Sequence, residues 1–596
     1  VVDFSRFYQK VQAILETELP DSTSIVREGR SIAADIKIGR TAFMEKMDVR
    51  SEAEYKNQCI RDKKVMFHAH IGMSSWKSTA ESLNLVYRVA QECGFVVDRA
   101  GICLDRRMGL PQHLRKSIPA ETGPTLDSFE DWMQVGSVVP IQPHMGDFMI
   151  GFPASTENTV NALRAGVTTI GNLSQFFSFE VPMWHDQIAT TVETVKAMAI
   201  MGALIEKGTL VHSYLEDGLG ALFYDCATVA GWAYLERYIV ETLLGGKLTH
   251  CNGGLTVDPV KRVGWIFALD VIHEHDCVGS MYYGDTLSFT ENFNVNRGVV
   301  AEYLLWDIMA QLRCPTGHAV HPLPVTEAVR VPSAEEIAEA QVLGHRTEET
   351  ARRMLPHIDF SAAYEFSDKI VSAGKRVFHN ALEGLKEAGV DIRDPIQILY
   401  VLKKIGPATF EELFGEGKPD EGYARRRMPI VPTDVFEKSK GCEDQFRQFF
   451  RQPEVRRVLS DHRVLIASTD VHEHALFVMN RVLSEAGMEV VNLGPEKGPD
   501  EIVSSACMHK VDAILISTHN GMALEYAKNL KEEIHKRNAT IPIVMGGVLN
   551  QKYEDNSMPL DVSGEIKDLG FQTCRSLEDL VTCARLMWPH HHSPCQ

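Results

Sequence analysis

Between residues 64 and 322 the chain repeats one theme: a short β-rich run ending in polar residues, followed by a helical stretch. The runs are KVMFHAHIG, VVDRAGICLDRRMG, VVPIQPHMGD, TTIGNLS, LVHSYLED, KLTHCNGG, CVGSMYYGD and RCPTGHAVHP. Between them, stretches such as KSTAESLNLVYRVAQECG and ATTVETVKAMAIMGALIEKG place apolar residues at helical spacing, with Gly near the stop. Eight strands alternating with helices over roughly 260 residues predict an α/β fold, the (β/α)8 TIM barrel, whose active-site face lies at the C-terminal strand ends. Those ends carry His68, His70, Arg106, Arg107, His144, Asn172, His212, His250, Tyr282, Tyr283, His318 and His321. Taken singly, each imidazole reads as a satisfied strand-end histidine; taken together they read as a site.

Residues 334–405 read as helices and 406–456 as a polar extension, in which the Arg425–Arg427 run is a solvated or capping segment. From about residue 460 the runs RVLIAS, MEVVNLG, DAILIST and IPIVMGG alternate with helices. They predict a small doubly wound, Rossmann-like parallel sheet with its ligand edge at the strand ends. The expected division is an N-terminal helical arm (1–63), a barrel (64–405), an extension and linker (406–456) and the second α/β domain (457–596). A net charge of −19 argues against a nucleic-acid or anionic-membrane partner. No apolar run reaches the ~18–20 residues of a membrane span. The opening VVDFSRFYQK lacks a signal-peptide layout, and twelve cysteines without a CxxC pair read as reduced thiols, so a cytoplasmic location is expected.

At the predicted ligand edge of the second domain, TDVHEHA follows the first strand, STHNG the third, and MGG ends the fourth. This order resembles the cobalamin-binding domain, whose pattern is Asp-x-His-x-x-Gly, then Ser-x-Leu, then Gly-Gly. The resemblance implies that His472 is the lower ligand of the cobalamin cobalt and that Asp470, two positions before it across Val471, holds its other ring N–H. It also implies that Ser517, His519, Gly521, Gly546 and Gly547 belong to the slot for the displaced nucleotide tail. Ala475 stands where the pattern has Gly, and His519 where it has Leu. DVHEHALFVMNRVLSEAGMEVVNLG and VDAILISTHNG look most like the small subunit of the adenosylcobalamin-dependent glutamate mutase family. MFHAHIG, FSFEVPMW, TEAVRVPS and RRRMPIVPTDVFEKSK are similar, in the same order, to segments of its large subunit.

The resemblance therefore implies fused subunits: an isomerase using adenosylcobalamin (coenzyme B12), built as a homodimer. Glu327 falls on the family's ribose-holding carboxylate, while Leu323 replaces its lysine partner. The family's three substrate arginines fall on His70, on either Arg106 or Arg107, and on His144. Its catalytic glutamate and two tyrosines fall on Leu173, Phe179 and Met183, and His212 and Tyr282 complete the expected lining. Imidazoles cannot reproduce bidentate guanidinium–carboxylate pairing. The expected substrate is thus a small acid or amino acid other than glutamate, with one carboxylate on the remaining arginine. Two other enzyme readings stand beside this one. FHAHIG also matches the His-x-His metal motif of amidohydrolases, with His212 and His250 as further ligands, although RCPTGHAVHP lacks the strand-eight Asp. A corrinoid methyltransferase fits the second domain but calls for a helical cap before it. A cobalamin sensor lacks any output module.

Overall fold

The computed structural model describes residues 4–121, 123–276, 278–421, 423, 425–469, 474–519, 521–551 and 559–588. They form two compact units, 1–325 with 332–434 and 326–331 with 435–596. The boundary at 434/435 falls inside the stretch read from sequence as extension and linker, and residues 326–331 group with the second unit.

Unit 1 contains β1 (His68–Ile71), β2 (Arg99–Ile102), β3 (Gln142–His144), β4 (Thr169–Ile170), β5 (Leu210–Tyr214), β6 (Leu248–Cys251), β7 (Met281–Tyr282) and β8 (Ala319–Val320). Each of the eight β-rich runs holds one of them. Parallel ladders join β1–β2–β3, β4–β5–β6 and β7–β8. Single parallel bridges, Met145–Ile170, Asn252–Tyr282 and Phe67–Val320, connect the three groups. The pairings thus pass through the strands in chain order and return to the first.

Helices follow the strands where the sequence supplies start and stop chemistry. Trp76–Cys93 opens on a capping box between Ser75 and Ser78 and ends at Gly94, whose φ of 78° an L side chain would resist. Pro259–Ile272 begins at the Asp258 cap with proline in its first turn. Farther on, Arg427 donates to the carbonyls of Glu412 (2.7 Å) and Leu413 (3.2 Å), capping the end of helix Pro395–Phe414.

The helix Glu52–Asp62 sends two charges into the N-terminal side of the strand circuit. Lys56 Nζ donates to the carbonyls of Gly279 (2.5 Å), Ser280 (2.7 Å) and Gly317 (2.9 Å). Glu52 lies 2.8 Å from Arg99 and 3.5 Å from Lys56, and all three side chains are buried. Burial pulls the Lys56 ammonium down to about 8, against the pull of Glu52.

Unit 2 is a five-stranded parallel sheet of β9 (Arg463–Ser468), β10 (Glu489–Gly494), β11 (Ala513–Thr518), β12 (Ile543–Gly547) and β13 (Gln572–Cys574), in the order β10-β9-β11-β12-β13. Val464 and Ile466 pack into a core on one face of it, and Leu465 and Ala467 into a second core on the other. Burial on both faces explains the near-continuous apolar runs. The three-residue β13 has no such run and was not readable as a strand. Among the described residues no helix is long and apolar enough to cross a membrane.

Candidate functional site

Strand side chains alternate, so one face of the unit 1 circuit receives every second residue. His70, Gly101 and His144 stand in one rung of β1, β2 and β3. A Cβ at Gly101 would lie 2.3 Å from His70 Cδ2, 2.6 Å from His70 Nε2 and 2.9 Å from His68 Nε2. The missing side chain is therefore what admits both rings.

From there the imidazoles continue in a chain. Ring centroids are 4.7 Å apart for His68–His70, 4.7 Å for His70–His321, 6.2 Å for His68–His144 and 4.6 Å for His144–His212. Tyr283 lies 4.7 Å from His321, places its hydroxyl 3.1 Å from His70 Nδ1 and stacks on Tyr214. Desolvation holds the whole chain neutral: His70 falls to about 3, with Arg99 contributing, and His68, His144, His212 and His321 lie well below the ordinary imidazole value. His144 Nδ1 meets the Thr169 carbonyl at 3.1 Å. Among the described residues the buried atoms His68 Nε2, His144 Nε2, His212 Nδ1 and His321 Nδ1 have no hydrogen-bond partner. A row of neutral rings with unused nitrogens can bind polar groups without contributing charge.

A second constellation adjoins the first and was not picked out from sequence. Asp147 follows β3, Gln175 follows β4 and Asp217 follows β5. Gln175 Nε2 donates to Asp147 Oδ1 (3.1 Å) and to Asp217 Oδ2 (3.3 Å), and Asn172 Nδ2 donates to Asp217 Oδ2 (2.9 Å). Burial raises Asp147 to about 6; burial and then the charge of Asp147 raise Asp217 to about 7. A signal existed, because these two acids close the runs VVPIQPHMGD and LVHSYLED.

Several expected lining residues sit elsewhere. Tyr282 points to the opposite side of its strand, fully buried among Val263, Ile266 and Tyr303, with its hydroxyl donating to the Arg262 carbonyl at 2.7 Å. Its neighbour Tyr283 takes the place beside His70. Met183 is 65 % exposed, whereas Phe179 is buried 6.5 Å from Phe148. Arg106 pairs with Glu121 at 2.5 Å and Arg107 with Asp105 at 2.8 Å, so each guanidinium already has a carboxylate within the chain. Glu327 lies in the 326–331 segment of unit 2. The hydrolase constellation does not assemble: His250 turns to His273 (2.9 Å) and Glu236 (3.2 Å). Among the described residues no three His, Cys, Asp or Glu side chains are placed to hold a metal ion.

In unit 2, one rung crosses four strands as Ser468, Ser517, Gly546 and Cys574, all small. The Ser517 hydroxyl is buried and has no partner among the described residues. Gly547 has φ 89°, and a Cβ there would stand 2.5 Å from the Thr518 carbonyl and 3.2 Å from His519 Cε1. Gly521 also has a positive φ, 77°. Small side chains, a spare hydroxyl and open backbone form a cradle at the C-terminal edge of the sheet, where such folds bind ligands. Asp470, Val471 and His472 lie outside the described residues.

Residues 463–568 match the family described as the B12 binding domain. The chain thus carries a cobalamin-binding domain there. Over 84 residues it is 32% identical to glutamate mutase sigma subunit 1 of Haloarcula marismortui, covering 14% of this chain and 56% of that one. Over 78 residues it is 31% identical to the fused isobutyryl-CoA mutase of Geobacillus kaustophilus, 13% of this chain and 7% of that one. Over 229 residues it is 22% identical to methionine synthase of Mycobacterium tuberculosis, 36% of this chain and 18% of that one. The chain therefore spans about half the length of the first relative and a small part of the other two.

Proposed function

We propose that the protein is an adenosylcobalamin-dependent carbon-skeleton mutase, in which unit 1 is a (β/α)8 barrel holding the substrate and unit 2 holds the corrinoid. The observation that carries this reading is the cobalamin-binding domain at 463–568 on the same chain as a face of strand ends lined by neutral imidazoles and carboxyls. Similarity to two mutases, over 84 and 78 residues, supports it. His472 would ligate cobalt and Asp470 would orient its ring, while Ser517, Gly546 and Gly547 would accept the nucleotide tail.

Adenosylcobalamin, when bound, supplies a carbon-centred radical by homolysis of its Co–C bond. The protein's own residues bind, orient and shield. His70, fixed by Tyr283, and the neutral His68, His144, His212 and His321 offer hydrogen bonds without bringing an unpaired charge into the site. Phe148, the neighbour of Asp147 in sequence, packs 6.5 Å from Phe179, an apolar pair that would limit water around a reactive intermediate. Arg106 and Arg107 each face a carboxylate of the chain itself, so neither guanidinium is set aside for a substrate carboxylate, and the expected single carboxylate on the remaining arginine draws no support from the structure.

The 229-residue similarity to methionine synthase favours a second reading, corrinoid methyl transfer. Adenosylcobalamin deuterated at the 5′ carbon separates the two. A mutase passes deuterium into recovered substrate and product; a methyltransferase passes none and instead demethylates methylcobalamin.

A further inference from the structure

We propose that the slot at the C-terminal edge of the unit 2 sheet selects its corrinoid by the nucleotide base. The His519 imidazole favours a base with a hydrogen-bonding edge, a purine such as adenine, over the methylated edge of dimethylbenzimidazole. The inference rests on the reading that Ser517, Gly546 and Gly547 accept the nucleotide tail, and it names the tail they accept.

The slot begins where one face of the sheet runs out of large side chains. Ile466 on β9, Leu515 on β11 and Val544 on β12 share a buried apolar cluster with Val482 and Leu580 of the helices packed on that face. Two residues farther along each strand, on the same side by the period of two, stand Ser468, Ser517 and Gly546. The nearest heavy atoms to a Cβ built on Gly546 are all of Cys574, 3.0 to 4.0 Å away, so the volume over that glycine is otherwise open among the described residues. Beside it the Ser517 hydroxyl is buried and has no partner among the described residues. A buried hydroxyl without a partner, next to open volume, marks a place for a polar atom of a ligand.

His519 stands two residues beyond Ser517, where the cobalamin-binding pattern has leucine, and it is half-buried. Its Cε1 atom lies 3.2 Å from the Cβ position of Gly547, the neighbour of Gly546. Both ring nitrogens are bonded to Cε1, so the polar edge of the imidazole is the one turned toward the paired glycines. A neutral imidazole brings one N–H donor and one lone pair. Adenine carries an acceptor nitrogen and an amino group side by side on one edge, which match them. Dimethylbenzimidazole has two methyl groups on its outer edge and, once off cobalt, a single ring nitrogen, which a serine hydroxyl alone satisfies. Methyl groups laid against the imidazole displace water from it without replacing the hydrogen bond, and that penalty discriminates between the bases. Leucine at this position would carry no such penalty.

The test is titration of the full chain with three corrinoids: cobalamin, its adenine-tailed analogue and cobinamide, which has no base. Binding is read from the visible absorbance retained with the protein on ultrafiltration. The two bases differ in how readily they leave cobalt, so the deciding quantity is how the ratio of the two dissociation constants changes on substitution, in which that difference cancels. His519→Leu is expected to move the ratio about tenfold toward dimethylbenzimidazole, and His519→Gln, which keeps a donor and an acceptor, to hold it within about threefold of the wild-type value. His519→Ala reads the same ratio should far-UV circular dichroism show that the leucine variant does not fold. An unchanged ratio in the folded Leu or Ala variant, with both tailed corrinoids bound tighter than cobinamide, overturns this inference and leaves the tail slot standing. Cobinamide bound as tightly as the tailed corrinoids, or no corrinoid bound at all, overturns the reading of the tail slot itself.

Discussion

Asp217→Asn is expected to change the stability of unit 1 with opposite signs at acid and alkaline pH. The native carboxyl sits at about 7 against an ordinary 3.8, through burial first and the charge of Asp147 second. A group raised in the fold binds more protons in the native than in the unfolded state between those two values, so stability falls as pH rises through that window. The full difference corresponds to roughly 4 kcal/mol, and partial solvent contact reduces the expected penalty at pH 8 to about 2 kcal/mol. Asparagine removes this penalty but cannot accept on both sides. Keeping Gln175 and Asn172 on its oxygen sacrifices the bond from the Gly218 N–H, a cost of about 1 kcal/mol. The variant should therefore be more stable than wild type by about 1 kcal/mol at pH 8 and less stable by about 1 kcal/mol near pH 4. Denaturant titration followed by tryptophan fluorescence reads unit 1, since every tryptophan except Trp588 lies there. A loss of equal size at both pH values would show that Asp217 is a plain structural acceptor and would refute the unpaired-charge argument.

Lys56→Met should destabilise unit 1 by about 3 kcal/mol or more, because three carbonyls and Glu52 lose a buried cation; thermal unfolding measures it. Gly101→Ala should cost about 1–3 kcal/mol and abolish turnover, since its methyl displaces both His68 and His70; a well-folded, fully active variant would contradict the account of that rung. Gly547→Ala combines a positive φ with a clash against Thr518 and should weaken corrinoid uptake while leaving the thermal transition of unit 1 unchanged, as followed by visible absorbance and fluorescence.

The strands were legible because each is a short apolar run broken by polar residues at its end, and all eight runs in unit 1 contain one. What the pattern does not resolve is which of two adjacent residues faces the site. Tyr282 and Tyr283 are indistinguishable in sequence, yet a period of two sends one to the helices and the other to His70. The arginines were legible as charges and their pairing was not, because Glu121 reaches Arg106 from a loop with no periodicity of its own. Asp147 and Asp217 lie on separate runs, and only the pairing of β3 with β4 and of β4 with β5 brings them to one amide of Gln175. In unit 2 the motifs marked the sheet edge, whereas the short β13 is partly exposed and left no apolar signature.

The most direct test of the central claim is electron paramagnetic resonance of the full chain with adenosylcobalamin, frozen under anaerobic conditions with and without a turned-over substrate, in unlabelled protein and in protein uniformly labelled with nitrogen-15. The account predicts a cobalt–organic radical pair that appears only with substrate, and in the cob(II)alamin form a ligand-nitrogen splitting of the cobalt lines that passes from three lines to two with the protein label, as ligation by His472 requires. Turnover without a radical signal, or a nitrogen splitting indifferent to the label, would contradict it.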